Sequence, residues 1–344
     1  MKKWSIFLVL LFSINCAAFA DDKELNVYNW SDYMPDDVIS QFEQETGIHV
    51  NYTTYDSNET MYAKLKADPD AGYDVIVPSS YFVSRMRNQD MLQQFDKSQL
   101  PNFKYLNTGL LNKTFDPGNN YSVPYFWGST AIVVNKKYYS SGAVTGWADF
   151  WKPQFKNQLL ILDDTREVFA MALISLGYSA NDTNPAHIKQ AYQKVLTLLP
   201  NIKVFNQEAA KSMFIDEDAT VGMGYSGDIY EANKENPDLQ YIYPKEGFVI
   251  WIDCLSIPKG APHLANAYKF LNFLMRPDIA EKLSTETGYA SPNAAAVKLM
   301  PQDIQHNYII YPPQTVLKNG QFEDDVGSAS ELYEKYLELI KISG

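Results

Sequence analysis

The chain has 344 residues, of which 29 are Lys or Arg and 41 are Asp or Glu, so its formal net charge at pH 7 is −12. An acidic balance of this size argues against nucleic acid or an anionic lipid surface as a partner, and it is compatible with a cationic ligand. The length is sufficient for two lobes with a sizeable core.

The first twenty residues have the pattern of a secretory signal peptide. Two lysines precede an apolar run at 5–14, and residues 18–20 supply the small-x-small pattern of a cleavage site. The apolar run is too short to span a bilayer by itself. Cys16 does not fit a lipid-attachment site, because Asn15 stands where such sites have a small residue. We therefore expect cleavage after Ala20 and a soluble protein exported to the periplasm.

Cleavage changes both the charge and the thiol content of the chain. Loss of residues 1–20 removes two lysines and no acid, which takes the formal net charge to −14. It leaves Cys254 as the single thiol, so no intrachain disulfide can form. The fold must then be held by its apolar core. Because Cys254 lies in an apolar stretch, we expect it to fill core space rather than to act in redox chemistry.

Strand and helix patterns alternate along the chain. Predicted strands lie at 24–30, 48–52, 73–77, 129–134, 158–162, 220–224, 239–243 and 247–257. Predicted helices lie at 35–47, 58–67, 166–176, 185–199, 262–275, 277–287 and 326–342. This alternation predicts an α/β protein with parallel sheets that are covered by helices on both faces.

The chain has no linker rich in Pro, Gly or Ser and no internal repeat. Two lobes without a long linker indicate that the chain crosses between them several times. We place crossings near Gly128 and near Trp251. The first lobe then takes residues 21–128 plus 252–297, and the second takes residues 129–251 plus 298–344.

The strand predicted at 247–257 carries one carboxylate, Asp253, within an apolar and aromatic run. Side chains on a strand alternate between faces, so Trp251 and Asp253 point the same way and can present a ring and an acid to a cleft. This pair suits an organic cation, because the ring face and the carboxylate both attract positive charge. The alternative, that Asp253 caps a turn or pairs with a Lys or Arg, is equally compatible with this stretch alone.

Ligands of open α/β sheets bind beyond the carboxyl ends of the strands. Five segments at predicted strand ends share a content of aromatic rings and carboxylates. These segments are Asn29-Trp30-Ser31-Asp32-Tyr33, Pro78-Ser79-Ser80-Tyr81-Phe82, Asp163-Asp164-Thr165-Arg166-Glu167, Tyr225-Ser226-Gly227-Asp228 and Trp251-Ile252-Asp253.

Asp164 and Glu167 lie at the start of a predicted helix, where acids are stabilised by the helix dipole. Acids at this position are ordinary capping residues, and Arg166 stands between them as an ion-pair partner. On spacing alone, capping is the favoured interpretation.

Enzyme motifs are weak in this chain. Residues 222–227 match a dinucleotide-binding pattern by letter, but they lie deep in the chain and predict a tight strand-to-helix turn instead. The four histidines are scattered singly, without metal-ligand spacing. Ser226 lacks a nucleophile elbow. A carboxylate pair such as Asp164 and Asp253 would suit an exported glycosidase, which is the best enzyme alternative, although hydrolysis does not need acid and aromatic pairs on both halves of the chain.

The same segments resemble the periplasmic polyamine-binding proteins of ABC importers, the spermidine- and putrescine-binding family. The resemblance covers the whole mature chain. It is carried by Val27-Tyr-Asn-Trp-Ser-Asp-Tyr33, Asp74-Val-Ile-Val-Pro-Ser-Ser-Tyr81, Asp163-Asp-Thr-Arg-Glu-Val-Phe169, Trp251-Ile-Asp253, Gly288-Tyr-Ala-Ser-Pro-Asn293 and Asp325-Val-Gly-Ser-Ala-Ser330.

The resemblance implies two α/β lobes of the type II periplasmic binding fold around a hinge, with one polyamine in the cleft. It implies an aromatic box formed by Trp30, Tyr33, Tyr81, Tyr225, Trp251 and Tyr289. It also implies that the ammonium groups meet Asp164, Glu167 and Asp253, with Ser31 and Ser79 as polar neighbours.

Two positions depart from the pattern that the resemblance implies. Tyr225 stands where the spermidine binders are expected to have Trp, and Glu323 stands where they are expected to have Gln. Glu323 adds a fourth acid near one end of the ligand, or it turns outward and contacts nothing.

The implied partners are a polyamine, spermidine first and putrescine second, and the membrane permease of an ABC importer. The chain itself is expected to be a monomer without a cofactor, to bind no nucleic acid and to perform no chemistry. A receptor for another small solute and an exported hydrolase remain the alternatives.

Overall fold

The computed structural model describes residues 23–140 and 142–343, so the predicted signal peptide and Cys16 lie outside the described residues. The described part forms ten strands: β1 (Glu24–Trp30), β2 (His49–Tyr55), β3 (Val75–Ile76), β4 (Ser122–Asn135), β5 (Leu159–Ile161), β6 (Ile202–Phe205), β7 (Val221–Tyr225), β8 (Leu239–Ile242), β9 (Phe248–Ser256) and β10 (Gly320–Phe322). It also forms thirteen α-helices: α1 (Asp36–Thr46), α2 (Asn58–Ala67), α3 (Ser80–Asn88), α4 (Thr165–Ser175), α5 (Pro185–Leu198), α6 (Ala210–Ile215), α7 (Ser226–Glu235), α8 (Leu264–Leu274), α9 (Pro277–Thr287), α10 (Ala294–Val297), α11 (Gln302–Gln305), α12 (Gln314–Leu317) and α13 (Ala329–Ser343).

All ten of these strands belong to one hydrogen-bonded sheet. The order along the sheet is β2-β1-β3-β9-β4-β7-β5-β6, while β10 pairs with β9 and β8 pairs with β4. The predicted parallel pairing holds at both ends, where β1 is parallel to β2 and β3, and β5 is parallel to β6 and β7. It is wrong in the middle, where β4 runs antiparallel to β7, β8 and β9.

The antiparallel centre of the sheet consists of the two longest strands. Every residue of β4 and of β9 is buried, and helices pack against both strands, α3 and α4 against β9 and α7 against β4. The two strands pair over most of their length, and their register places Gly128 opposite Trp251. The predicted strand at 129–134 is therefore only the second half of β4. Pro124 interrupts the sequence pattern of the first half and lies at a break in the register, where a strand tolerates proline.

Local sequence signals explain where the helices begin and end. Pro35 precedes α1, which ends at Gly47 with a φ of 69°, a left-handed conformation that glycine adopts without strain. Ser57 caps α2 by accepting a hydrogen bond from the amide of Thr60. The strand-to-helix turn predicted at residues 222–227 is confirmed by the junction of β7 and α7.

The apolar core includes the single thiol of the described residues. Cys254 on β9 is fully buried, which fits the expected role of filling core space. Among residues 23–140 and 142–343, no helix combines the length and the apolar character that crossing a membrane requires.

Candidate ligand-binding site

A cavity of about 160 Å³ opens where several strands of the sheet end. Its walls come from the carboxyl ends of β1, β2 and β7, from the segments that follow β3, β5, β6 and β10, and from the middle of β9. Parallel strands bring their carboxyl ends to a common edge, which explains why distant parts of the chain meet here.

The structure places all twelve residues selected from the sequence around this cavity. They are Trp30, Ser31, Tyr33, Ser79, Tyr81, Asp164, Glu167, Tyr225, Trp251, Asp253, Tyr289 and Glu323. Their role as ligand contacts stays a prediction, because proximity to a cavity does not show what fills it. The idea that Glu323 turns outward is wrong, since its side chain is buried and lines the cavity.

The turn after β1 places Trp30 and Tyr33 in the wall of the cavity. Trp30 donates its indole N–H to the carbonyl oxygen of Val77 at 2.8 Å, which fixes the ring against the end of β3. Asp32 follows with a φ of 56°, a left-handed conformation that Asp tolerates better than most residues. This sharp turn brings the Tyr33 ring to 6.3 Å from the Trp30 ring, measured between centroids.

Asp253 lies at the centre of the wall and is 5% exposed. Its carboxylate accepts hydrogen bonds from the Ser79 hydroxyl at 2.6 Å and from the Tyr33 hydroxyl at 2.9 Å. Burial raises the pKa of Asp253 to about 6, and these two hydrogen bonds oppose the rise. The carboxylate is therefore oriented by neutral hydroxyl donors, and the suggested ion pair with Lys or Arg is not what holds it.

Asn58 positions the residues that hold Asp253. Its side-chain amide donates to the Ser79 hydroxyl at 3.0 Å and to the Tyr81 hydroxyl at 3.1 Å, while its carbonyl oxygen accepts from the Ser79 amide. Asn58 is the first residue of α2 and was not selected from the sequence. Asn at a helix start is common, so its position gave no signal of this role.

Rings from three elements, Trp251, Tyr225 and Tyr289, form a further part of the aromatic wall. The Trp251 ring meets the Tyr225 ring edge-on at 6.1 Å between centroids, and it meets the Tyr289 ring at 5.6 Å. Tyr289 in turn lies 5.0 Å from Tyr33. These edge and tilted contacts hold the rings without stacking them face to face, and faces are the parts of a ring that attract cations.

Two glycines allow this wall to pack. A Cβ atom on Gly128 would lie 2.4 Å from Cζ2 of Trp251, and a Cβ atom on Gly227 would lie 2.3 Å from Cδ1 of Tyr289. Real atoms do not approach so closely, so only glycine lets the rings lie against the backbone of β4 and α7. Gly128, near which a crossing between lobes was predicted, thus also has a packing role that its sequence position did not indicate.

One group of acids lies at the start of α4 and after β10. Asp164 caps α4 by accepting from the amides of Arg166 and Glu167, so the capping interpretation is correct and coexists with a place in the cavity wall. Glu167 accepts from the Thr130 hydroxyl at 2.6 Å. Burial raises the pKa of Asp164 and of Glu167, and the charge of Glu323 raises that of Glu167 further.

Arg166 does not pair with these acids in the way the sequence suggested. Its guanidinium donates to the carbonyl oxygen of Asp324 at 3.0 Å and to the side-chain oxygen of Asn181 at 2.7 Å. It also lies over the Tyr81 ring, 5.0 Å from the centroid. Arg166 thus holds the segment after β10 through hydrogen bonds and packs against the Tyr81 ring.

A second group of acids lies at the other side of the cavity. Its members are Asp32, Asp56, Glu208 and Asp228, with Lys211 beside them. Asp228 accepts a hydrogen bond from the Tyr289 hydroxyl at 2.8 Å. Burial raises the pKa of Asp228, and Lys211 lowers it. Near this group the Gln207 amide donates to the carbonyl oxygen of Asp56 at 3.0 Å.

Eight carboxylates, seven aromatic rings and one lysine line the cavity in the described part of the chain. Carboxylates in partly dry surroundings attract cations, and rings cover apolar parts of a ligand. Among the described residues, no set of three or more His, Cys, Asp or Glu side chains is arranged so that it could hold a metal ion. The wall therefore suits an organic cation with apolar segments.

Comparisons with known proteins agree with this architecture. Residues 37–310 match the family model "Bacterial extracellular solute-binding protein". The chain is 44% identical to the spermidine/putrescine-binding periplasmic protein of Escherichia coli K12 over 99% of both chains. It is 35% identical to a putrescine-binding periplasmic protein of the same organism, over 92% of this chain and 91% of that one.

Solved structures show the same fold. The substrate-binding protein of a spermidine/putrescine ABC transporter from Streptococcus pneumoniae superposes with a TM-score of 0.80 and 34% identity, covering 93% of this chain and 99% of the other. The predicted two-lobed α/β solute-binding fold is thereby confirmed. By its sequence and by its architecture, this chain belongs to the family of bacterial extracellular solute-binding proteins.

Proposed function

We propose that this chain is a periplasmic receptor that binds one polyamine, spermidine first and putrescine second, in the cavity described above. One observation carries the proposal. Asp253, oriented by Ser79 and Tyr33, lies on the same face of β9 as Trp251, so that an acid and a ring face the cavity together. The polyamine-binding names of relatives 44% and 35% identical support the same ligand class.

The chemistry of a polyamine matches the two components of the wall. Its ammonium groups are separated by methylene segments, so rings can cover the methylenes while acids meet the charges. Each desolvated contact between a cation and a ring contributes about 0.5–2 kcal/mol. A few such contacts together with charge-assisted hydrogen bonds can reach the roughly −8 kcal/mol of micromolar binding after ordering costs.

The division of the chain into two lobes suggests how ligand binding changes the conformation of the protein. We divide it into residues 21–128 plus 252–297 and residues 129–251 plus 298–344, because Gly128 and Trp251 face each other where β4 and β9 pair. A ligand that contacts both lobes favours their closed arrangement, since it gains contacts there that the open form lacks. The closed monomer then delivers the amine to the membrane permease of an ABC importer. It needs no cofactor, binds no nucleic acid and performs no chemistry.

Calorimetry on the mature protein tests this proposal. The protein is unfolded and refolded to remove bound ligand, then titrated with spermidine, putrescine and spermine, with a neutral sugar as control. We expect saturable binding of at least one amine near one site per chain and no heat from the sugar. Sugar binding without amine binding would instead support a receptor for another solute, and turnover of a glycoside would support the hydrolase alternative.

A further inference from the structure

Glu323 is a buried carboxyl group with an unused hydrogen-bonding atom. It follows β10 directly, its side chain is 4% exposed, and it lines the cavity. Its Oε1 atom has no hydrogen-bond partner among the described residues. A buried polar atom without a hydrogen-bond partner destabilises the fold. The position of this atom in the cavity wall therefore indicates that a bound ligand supplies the missing hydrogen bond.

The charged groups around Glu323 are mostly acids. The titratable and charged groups that interact electrostatically with Glu323 or with its neighbours come from five elements. They are Glu59 on α2, Tyr81 on α3, Asp164, Arg166 and Glu167 at the start of α4, Tyr225 on β7 and Asp253 on β9. Arg166 is the cation of this set, and its guanidinium is already engaged with Asp324 and Asn181. These neighbours therefore give an ionised Glu323 little compensation for its burial.

These surroundings favour the neutral form of Glu323. Burial raises its pKa to about 8, Arg166 opposes the rise, and the charges of Asp164, Asp253 and Glu59 add to it. Without a ligand these effects shift Glu323 toward its neutral form, and the pKa of the neighbouring Glu167 is raised in the same direction. An ammonium group placed beside Glu323 reverses this preference, because an opposite charge nearby stabilises the carboxylate.

We propose that Glu323 determines specificity at this end of the cavity by releasing its proton to solvent when an ammonium group of the ligand arrives. This inference rests on the proposed polyamine function. The O–H bond of the carboxyl group breaks, the proton leaves to the buffer, and the carboxylate pairs with the ammonium group, which keeps all its protons. A ligand with a neutral amide or hydroxyl at that end does not drive the ionisation and is bound less well.

The sign of the pH effect follows from this exchange. Binding lowers the pKa of Glu323. At a pH between its pKa in the complex and its pKa in the free protein, the free protein therefore carries more protons than the complex. Amine affinity therefore rises with pH in that window, by up to about tenfold per pH unit for one released proton. Near neutral pH the terminal amines of the ligand stay charged, since an aliphatic amine such as the lysine side chain titrates near about 10.4. Neighbouring positive charges lower the pKa of an inner nitrogen below this value.

Proton counting by calorimetry tests the inference. Spermidine is titrated into the mature protein at pH 7 in two buffers with different ionisation enthalpies, and the difference in heat gives the protons released. We expect roughly 0.5–1 proton per amine bound, because one buried carboxyl group passes from its neutral to its ionised form on binding. In Glu323→Gln, a near-isosteric change, the release falls by at least about half.

The matched control is Glu334→Gln on α13. Burial also raises the pKa of Glu334, but this residue does not line the cavity, so the variant should release as many protons as the unaltered protein. A second readout is the ratio of the affinities for spermidine and for its mono-acetylated forms. We expect Glu323→Gln to reduce this ratio for the form acetylated at the end that meets residue 323.

The outcomes separate the two proposals. Spermidine binding without proton release at pH 7 would overturn the role of Glu323 and leave the proposed function standing, and this result does not depend on any variant folding. Undiminished release in Glu323→Gln would also overturn it. A protein that binds no amine at all would overturn the proposed function, and the present inference with it.

Discussion

Asp253→Asn is expected to weaken spermidine binding by at least about thirtyfold while the protein stays folded. Asn keeps the shape of Asp, but it removes the negative charge, and its single carbonyl oxygen accepts from only one of Ser79 and Tyr33, which donate to different oxygens of Asp253. Loss of one partner of a buried charge pair costs about 2–5 kcal/mol, and about 1.4 kcal/mol corresponds to each factor of ten in affinity. Calorimetry of the variant gives the loss directly.

Asp278→Asn is a suitable control for this change. Asp278 lies in the first turn of α9 and pairs with Arg276 at the surface, away from the cavity. The control should bind spermidine as the unaltered protein does. If Asp253→Asn bound spermidine within about threefold of the unaltered protein, Asp253 would not be an ammonium partner, and the site would need another anionic centre.

Gly128→Ala is expected to damage both the stability and the binding wall. The added Cβ atom would lie 2.4 Å from the Trp251 ring and 2.7 Å from the Ser226 hydroxyl oxygen. Because β4 is buried along its whole length, the ring has to move rather than the strand. Such overpacking costs about 1–3 kcal/mol of unfolding free energy. Denaturant unfolding should show this loss, and calorimetry should show spermidine affinity reduced at least about tenfold.

Two further variants separate the ring contact from a general effect of alanine. Gly109→Ala places its Cβ atom 3.2 Å from the Asn107 side chain in an exposed turn, and it should change stability and binding little. Trp251→Leu in the Gly128→Ala background shortens the side chain that clashes, so it should recover stability but not binding. Normal affinity in Gly128→Ala would show that the Trp251 ring has no fixed place in the site.

Most of the candidate site was predictable because its residues follow one simple rule of α/β sheets. Ligands bind beyond the carboxyl ends of strands, and four segments after predicted strands already held rings and acids, while Trp251 and Asp253 lie within β9 itself. Trp251 and Asp253 share a face because strand side chains alternate, and the structure brings both to the cavity. Glu323 was found by resemblance alone, since β10 has only three half-buried residues and no clear strand pattern.

Other members of the wall carried no such signal. Gln207, Glu208 and Lys211 follow β6, a strand of four residues that was not predicted because it is only partly buried. Tyr55 and Asp56 were missed because β2 runs three residues further than its predicted end at 52. The direction of β4 and β9 was also missed, since burial on both faces gives an apolar run whether a strand is parallel or antiparallel.

A pair of crystal structures, one without ligand and one with spermidine, tests the central claim most directly. We predict the amine in the cavity, its methylenes on the faces of Trp251 and Tyr289 and its ammonium groups at Asp253 and at the Glu167 and Glu323 carboxylates, with the lobes closer together than in the empty protein. Spermidine bound elsewhere on the surface, or in this cavity with no ammonium group near Asp253, would contradict it.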